Sequence, residues 1–275
     1  MRKFYCDSIV TRKIYLSDNI IQLGLMAGEI SNSALPGQFI QVKITDNYTP
    51  LWPRPFSIFD TDPEKEEISI ILKIAGRGTS MLADKKERDR VRIFGPLGNG
   101  FKLSHNGSRI IMAAGGIGLP PLYFLAKRLI RDGCPSKSIL FISGAKRKSE
   151  LFDSPELSEL NTDLYVCTDD GSAGDKGTVV DLLEKSLAKE EKPTVYACGP
   201  TGMLKRIDQI LVKNKITGFL SLEELMPCGY GICSGCAVRV APSPERGKTD
   251  DNRDYHLKRV CVEGPVFEVG EVMWR

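Results

Sequence analysis

Histidine is nearly missing from this chain: His105 and His256 are its only two. A Ser/His/Asp or Cys/His hydrolase needs an imidazole beside its nucleophile, so that class is thinly supported. Both histidines read as surface or loop residues. Strong charge of one sign is missing too. Lys plus Arg number 38 and Asp plus Glu 35, a net +3, too little to argue for nucleic acid or an anionic membrane as partner. Long hydrophobic runs are scarce. The uncharged stretch 110–126 holds Gly115, Gly116, Gly118, Pro120 and Pro121, which speaks against a continuous helix in lipid. The opening MRKFYCDSIVTRKIYL is charged throughout and has no signal-like apolar core. The expectation is a soluble, cytoplasmic protein with no membrane role, whose 8 cysteines stay out of disulfides in a reducing compartment.

Cysteine and glycine are instead concentrated near the C-terminus, in PCGYGICSGC at 227–236. Cys228, Cys233 and Cys236 are spaced C-x4-C-x2-C, and Cys261 follows after 24 residues. This is the ligand spacing of plant-type [2Fe–2S] loops. Gly229, Gly231 and Gly235 would permit positive φ and close backbone approach, with N–H groups turned to the sulfurs. Structural zinc also takes four thiolates, commonly as two CxxC-like pairs, and only 233–236 forms one here. A redox dithiol at Cys233 and Cys236 would leave Cys228 and Cys261 unused. Cys6, Cys134, Cys167 and Cys198 read as small hydrophobes, two of them at strand ends.

Three segments differ in rhythm. Residues 1–103 carry short β-favouring runs, FIQVKI (39–44), ISIILKI (68–74) and RVRIFG (90–95), punctuated by Gly and Pro, which predicts a small antiparallel barrel or sandwich. Residues 104–218 alternate strand-like runs at 109–114, 138–144, 163–170 and 194–200 with helix-like stretches at 120–130, 153–160, 178–188 and 201–213. That alternation predicts a doubly wound parallel sheet. Residues 219–275 hold the cysteine loop, the polar stretch 241–256 and a short β-like tail. The class is α+β, multidomain.

Two glycine turns follow strands and open helices: AAGGIGLPPL, with Gly115, Gly116 and Gly118, and YACGPTGML, with Cys198, Gly199 and Pro200. Both would face the crevice at the carboxyl ends of a parallel sheet, where a dinucleotide pyrophosphate can sit against helix N–H groups. The first departs from a strict G-x-G-x-x-G, and a plain tight turn is its alternative. Earlier, RPFS (54–57) offers a guanidinium for a diphosphate and a hydroxyl for a ring nitrogen. In ILKIAGRGTSML, Gly78-Thr79-Ser80 is expected to cap a helix and present N–H groups to phosphate.

RPFS, GRGTSML, GPLGNGF (95–101), AAGGIGLPPL, CGPTGM and the cysteine loop stand in the order seen in ferredoxin–NADP⁺ reductase-like flavoproteins. TDDGSAGDKGTVVDLL (168–183) and YHLKRVCVEGPVFEVGEV (255–272) resemble the electron-transfer subunits of NAD-linked dihydroorotate dehydrogenases within that group. The resemblance implies an FAD-binding barrel, with Arg54, Pro55, Phe56 and Ser57 around the flavin and Ile71, Leu72, Lys73, Gly78 and Thr79 holding its remainder. It implies NAD at 115–118 and 198–200, and a [2Fe–2S] cluster on Cys228, Cys233, Cys236 and Cys261. It further implies an FMN-containing catalytic partner that oxidises dihydroorotate, in a heterotetramer of two chains of each kind. No side chain is expected to act as general acid or base. Lys146, Arg147 and Lys148 leave NADP open beside NAD, although a solvated basic turn also explains them. A small subunit joining ferredoxin and NAD(P) for another partner, and a zinc-stabilised nucleotide-binding regulator, are the alternatives.

Overall fold

Alternating apolar and polar residues drive the first hundred residues into strands rather than helices. The computed structural model describes residues 2–45, 50–103, 108–151, 155–242 and 254–274. His105 and most of the polar stretch 241–256 lie outside them. Six strands, β1 (Phe4–Ser17), β2 (Ile20–Met26), β3 (Phe39–Lys43), β4 (Arg54–Asp62), β5 (Glu67–Lys73) and β6 (Arg90–Leu97), close into a barrel ordered β1-β2-β5-β4-β3-β6. Closure depends on the length of β1. Its first half, Phe4–Ile9, pairs with β6, and its second half, from Val10, pairs with β2. A register shift between Val10 and Arg12 marks the change of partner, the kind of irregularity that bends a strand around a barrel. Barrel, not sandwich, is the outcome. The short helices α1 (Gly28–Ser33) and α2 (Arg77–Ala83) sit in its connections.

The second unit is a sheet ordered β10-β9-β8-β7-β11-β12-β15, from β7 (Ile110–Gly115), β8 (Ile139–Ala145), β9 (Asp163–Thr168), β10 (Asp175–Lys176), β11 (Thr194–Cys198), β12 (Gly218–Ser221) and β15 (Val266–Glu268). Every residue of β7 is buried, as expected of a parallel strand covered on both faces. Its residues divide between two cores. Ile110, Met112 and Ala114 join Leu122, Leu125 and Leu129 of α3 (Leu119–Arg131). Ile111 and Ala113 join Leu183 of α5 (Val179–Leu187) and Ile207 of α6 (Thr201–Asn214). Helices therefore cover both faces, the doubly wound arrangement. The remaining helix, α4 (Pro155–Glu159), is short. No helix among the described residues is long and apolar enough to cross a membrane.

Helix α3 also touches the barrel: Tyr123 stacks on Phe59 of β4 at 4.3 Å, and Lys127 pairs with Asp60 at 2.6 Å. The C-terminal segment contributes the hairpin β13 (Ala237–Val240) and β14 (His256–Arg259), then returns as β15, antiparallel to β12. Position 219 falls inside β12, so the sheet continues into the stretch that carries the cysteines. The tail is fastened by Asp208 of α6, whose carboxylate accepts from Gly270 N at 2.7 Å and Trp274 Nε1 at 2.8 Å. His256 opens strand β14 rather than a loop, because pairing with Val240 draws it into the hairpin. Cys134, Cys167 and Cys198 are buried and Cys6 is half-exposed on β1.

Candidate redox site

A cavity of about 360 Å³ opens where barrel, sheet and cysteine segment meet. Its walls include Pro55, Phe56, Ser57, Ile71, Leu72 and Lys73 from the barrel, Ile117 from the first glycine turn, Pro120 from the start of α3, and Glu223 and Met226 from the segment leading to the cysteines. Arg54, Gly78 and Thr79 stand just outside it. The Arg54 guanidinium donates to Trp52 O at 2.8 Å, and a Cβ on Gly78 would lie 3.3 Å from Arg54 Nε. Thr79 Oγ1 accepts from the amides of Ala75, a wall residue, and Gly76, at 3.0 and 3.1 Å. The helix start is Gly76, not Gly78-Thr79-Ser80: Gly76 is extended, and Gly78 and Thr79 already lie in the first turn of α2.

A second cavity, about 570 Å³, lies over the carboxyl ends of the parallel strands and is lined by Gly115, Gly116, Gly199 and Pro200, with Lys146 and Asp169 on the far side. Gly118 and Cys198 do not line it. Gly118 packs on the Cys198 carbonyl, where a Cβ would meet the oxygen well inside contact distance. The Cys198 thiol is buried, and burial, then Glu223, push its pKa up. Helix α3 begins Leu-Pro-Pro, so two N–H donors of its first turn do not exist. The donors there come from the Gly115–Gly118 turn and from the start of α6, which Pro200 precedes.

Lys73 and Glu223 belong to the walls of both cavities. Lys73 also reaches Glu150 at 3.0 Å, a bridge from barrel to nucleotide sheet. Its hydrogen bond holds the Glu150 carboxyl below the usual range. Desolvation by the surrounding cavity walls pushes the Glu223 carboxyl up, although the residue as a whole is exposed. Lys146 faces the second cavity and Arg147 is paired with Glu150 at 3.4 Å, so the three cations do not form one open patch.

Cys228, Cys236 and Cys261 are 8, 2 and 1 % exposed, whereas Cys233 is open to solvent. Positive φ falls at Gly229 (76°), Gly231 (92°) and Ser234 (53°), not at Gly235. Gly235 serves by close approach: its N–H donates to Cys233 Sγ at 3.4 Å. Cys261 N–H donates to Cys236 Sγ at 3.5 Å. Burial opposes ionisation of Cys228, but the backbone N–H groups of Cys233, Tyr230 and Ile232 and the Cys233 thiol outweigh it and bring its pKa to about 6. Burial, then Cys236, push Cys261 to about 12.

These observations test the sulfur site against an iron–sulfur group. Backbone N–H groups directed at clustered sulfurs form an anion-accepting nest. The hydrogen bonds between sulfur groups run Cys228 with Cys233 and Cys236 with Cys261, and Cys261 also feels the charge of Cys228, so the four lie in one neighbourhood. Among the described residues no set of three His, Cys, Asp or Glu closes on one ion. Two pairs of thiolates suit a two-iron group, and the residues fit it. Lys73 was expected at the flavin but not as a wall of the second cavity too, and Glu223 and Gln41, which meets the cysteine loop at Gly229, were not found from sequence.

Comparison with known proteins agrees with this geometry. The family model for the iron-sulfur cluster binding domain of dihydroorotate dehydrogenase B matches residues 223–273, and that for the oxidoreductase NAD-binding domain matches residues 112–209. The electron transfer subunit of dihydroorotate dehydrogenase B (NAD(+)) from Desulforamulus reducens is 35% identical over 268 residues, covering 98% of each chain. That from a Geobacillus species is 37% identical over 266 residues, covering 96% of each. The solved structure of an NADH-dependent reduced ferredoxin-NADP oxidoreductase, studied for flavin-based electron bifurcation, has a TM-score of 0.82 at 29% identity, over 97% of this chain and 90% of that one. A ferredoxin reductase of carbazole 1,9a-dioxygenase shares the fold, with a TM-score of 0.66 at 16% identity over 78% of this chain and 67% of that one. Matched along nearly its whole length, this chain belongs to the family of dihydroorotate dehydrogenase B (NAD(+)) electron transfer subunits.

Proposed function

We propose that the chain carries electrons between an FMN-containing dihydroorotate dehydrogenase catalytic subunit and NAD⁺, in the cytoplasm, within a heterotetramer of two chains of each kind. Cys228, Cys233, Cys236 and Cys261 would hold [2Fe–2S]. Pro55, Phe56, Ser57, Ile71, Leu72 and Lys73 would surround FAD, with Arg54, Gly78 and Thr79 toward its diphosphate. Gly115, Gly116, Gly199 and Pro200 would receive NAD, with Gly118 and Cys198 holding the two turns together. FAD supplies exchange between one-electron and hydride chemistry, and the cluster supplies one-electron transport. The protein's part is to position, to exclude water and to set local charge.

One observation supports this reading above the others: the three candidate sites are contiguous. Lys73 and Glu223 are common to both cavities, and Met226, a wall of the first, stands two residues before Cys228. Ile232, 78 % exposed, adjoins the open Cys233, and Leu225, 82 % exposed, stands three residues before Cys228, exposed apolar side chains of the kind that suit a protein partner.

The test is anaerobic purification followed by a visible spectrum, iron analysis and mixing with the catalytic subunit. Flavin bands, about two irons per chain and dihydroorotate-dependent NADH formation are expected. Well-folded protein with neither cofactor would end the proposal. Both cofactors without coupling would favour a related ferredoxin/NAD(P) subunit, and zinc without iron a regulator. Arg54→Ala should weaken FAD retention by roughly 1.5–3 kcal/mol, the range for a charged hydrogen bond. A full flavin complement after dilution and gel filtration would refute that role.

A further inference from the structure

Gln41 lies on β3 two residues from Phe39, so the two side chains leave the strand on the same side. Phe39 is a wall of the flavin-sized cavity. Gln41 is 2 % exposed, an unusual place for a primary amide on a barrel strand. Its Nε2 donates to the main-chain oxygen of Met226 at 2.8 Å, a buried bond between residues 185 apart in sequence. Met226 is itself a cavity wall, and Cys228 follows two residues later. The cysteine loop then presses on the same side chain. A Cβ on Gly229 would stand 2.6 Å from Gln41 Nε2, and φ there is 76°.

The arrangement costs stability. Gln41 Oε1 is buried and has no hydrogen-bond partner among the described residues, and an unpaired buried carbonyl is unfavourable. Leucine or methionine would fill the space without that penalty. What the amide contributes is a directed bond: it fastens the approach to Cys228 onto the barrel at the boundary between cavity and sulfurs. We propose that Gln41 is a positioning residue that seats the cysteine loop on the flavin barrel and thereby fixes the separation of the two redox groups. The proposal rests on the functional reading above and extends it to a residue that is neither a wall of the cavity nor one of the four cysteines.

The experiment compares full-length wild type with Gln41→Met, which conserves volume and removes the donor, both purified without oxygen. Flavin and iron are measured first. Next come the flavin-to-cluster distance distribution by pulsed electron paramagnetic resonance, with one unpaired electron on each group, and the rate of electron exchange between them. The expected result is unchanged cofactor content, a broadened distance distribution and exchange slowed roughly tenfold, as small misplacements produce. Wild type without either cofactor would sink the functional reading and this proposal together. Variant protein with both cofactors and an unaltered distance distribution would sink the proposal alone. So would variant protein lacking iron, because Gln41 ligates nothing. A second arm uses Gly229→Ala, which pushes on the contact from the loop side. Its effect should shrink when Gln41→Ala removes the side chain it meets, and strict additivity of the two changes would overturn the assignment.

Discussion

Gly118→Ala will destabilise the chain by about 3 kcal/mol, the upper part of the range for forcing an atom into a packed interior. The reason is steric and not conformational. Gly118 has φ −77°, which any residue adopts, so the backbone torsion sets no requirement for glycine. The added Cβ would instead meet the Cys198 carbonyl and stand 2.8 Å from Gly199 N. Both obstacles are main chain at the end of a buried strand, and neither can turn aside as a side chain would. Because the same contact joins the two turns that line the nucleotide cavity, NAD⁺ binding should weaken as well, by about tenfold for a small displacement of its donors. Two controls isolate the cause. Gly116→Ala meets nothing within 4 Å but has φ 54°, and should cost about 1–2 kcal/mol. Gly202→Ala meets nothing either and lies within α6, where alanine should be neutral or stabilising by under about 1 kcal/mol. Denaturant unfolding and equilibrium binding of NAD⁺ give both readouts. The packing argument fails if Gly118→Ala is no worse than Gly116→Ala.

Cys236→Ser will strip the chain of its iron. Cys236 is 2 % exposed and its sulfur accepts the Cys261 amide, so it belongs to the interior half of the sulfur set and water cannot readily replace it. Iron and acid-labile sulfide should fall from about two each per chain to near background, and the resonance signal of the reduced centre should vanish. The C-terminal module should also become easier to digest, since ligand binding and folding share one free energy in small metal-bound units. Cys134→Ser is the comparison: Cys134 is equally enclosed, but its thiol lies beside Ser138, far along the chain from the loop. It should retain full iron. Equal iron in both variants would refute the ligand assignment.

Much of this site was legible because its chemistry is local. The spacing of Cys228, Cys233 and Cys236 lies within nine residues, and each glycine turn joins one strand to the helix that follows. What sequence could not supply is pairing across distance. Gln41 sits in the alternating run FIQVK and reads as a solvent-facing position. Only the fold brings Met226, 185 residues away, onto it. Glu223 offers no signal of its own beside Glu224, and its place at the junction of two cavities depends on the fold that brings them together. The start of α2 moved to Gly76 because Thr79 turns its hydroxyl back to the Gly76 amide, a choice that the tripeptide Gly-Thr-Ser leaves undetermined. Lys146, Arg147 and Lys148 are adjacent in sequence, yet Glu150 draws Arg147 into an ion pair.

Strand β15 lies at the rim of the nucleotide sheet, against β12. Until it arrives, Phe219 and Leu220 stand on a bare rim with unpaired amides, an invitation to join with another polypeptide. The strand that shields them follows β12 in chain order only after the cysteine segment and the hairpin β13–β14, so it leaves the ribosome well behind the strand it covers. A nascent chain of this kind therefore passes through an adhesive interval between the emergence of β12 and that of β15, and a variant lacking β15 would remain in it.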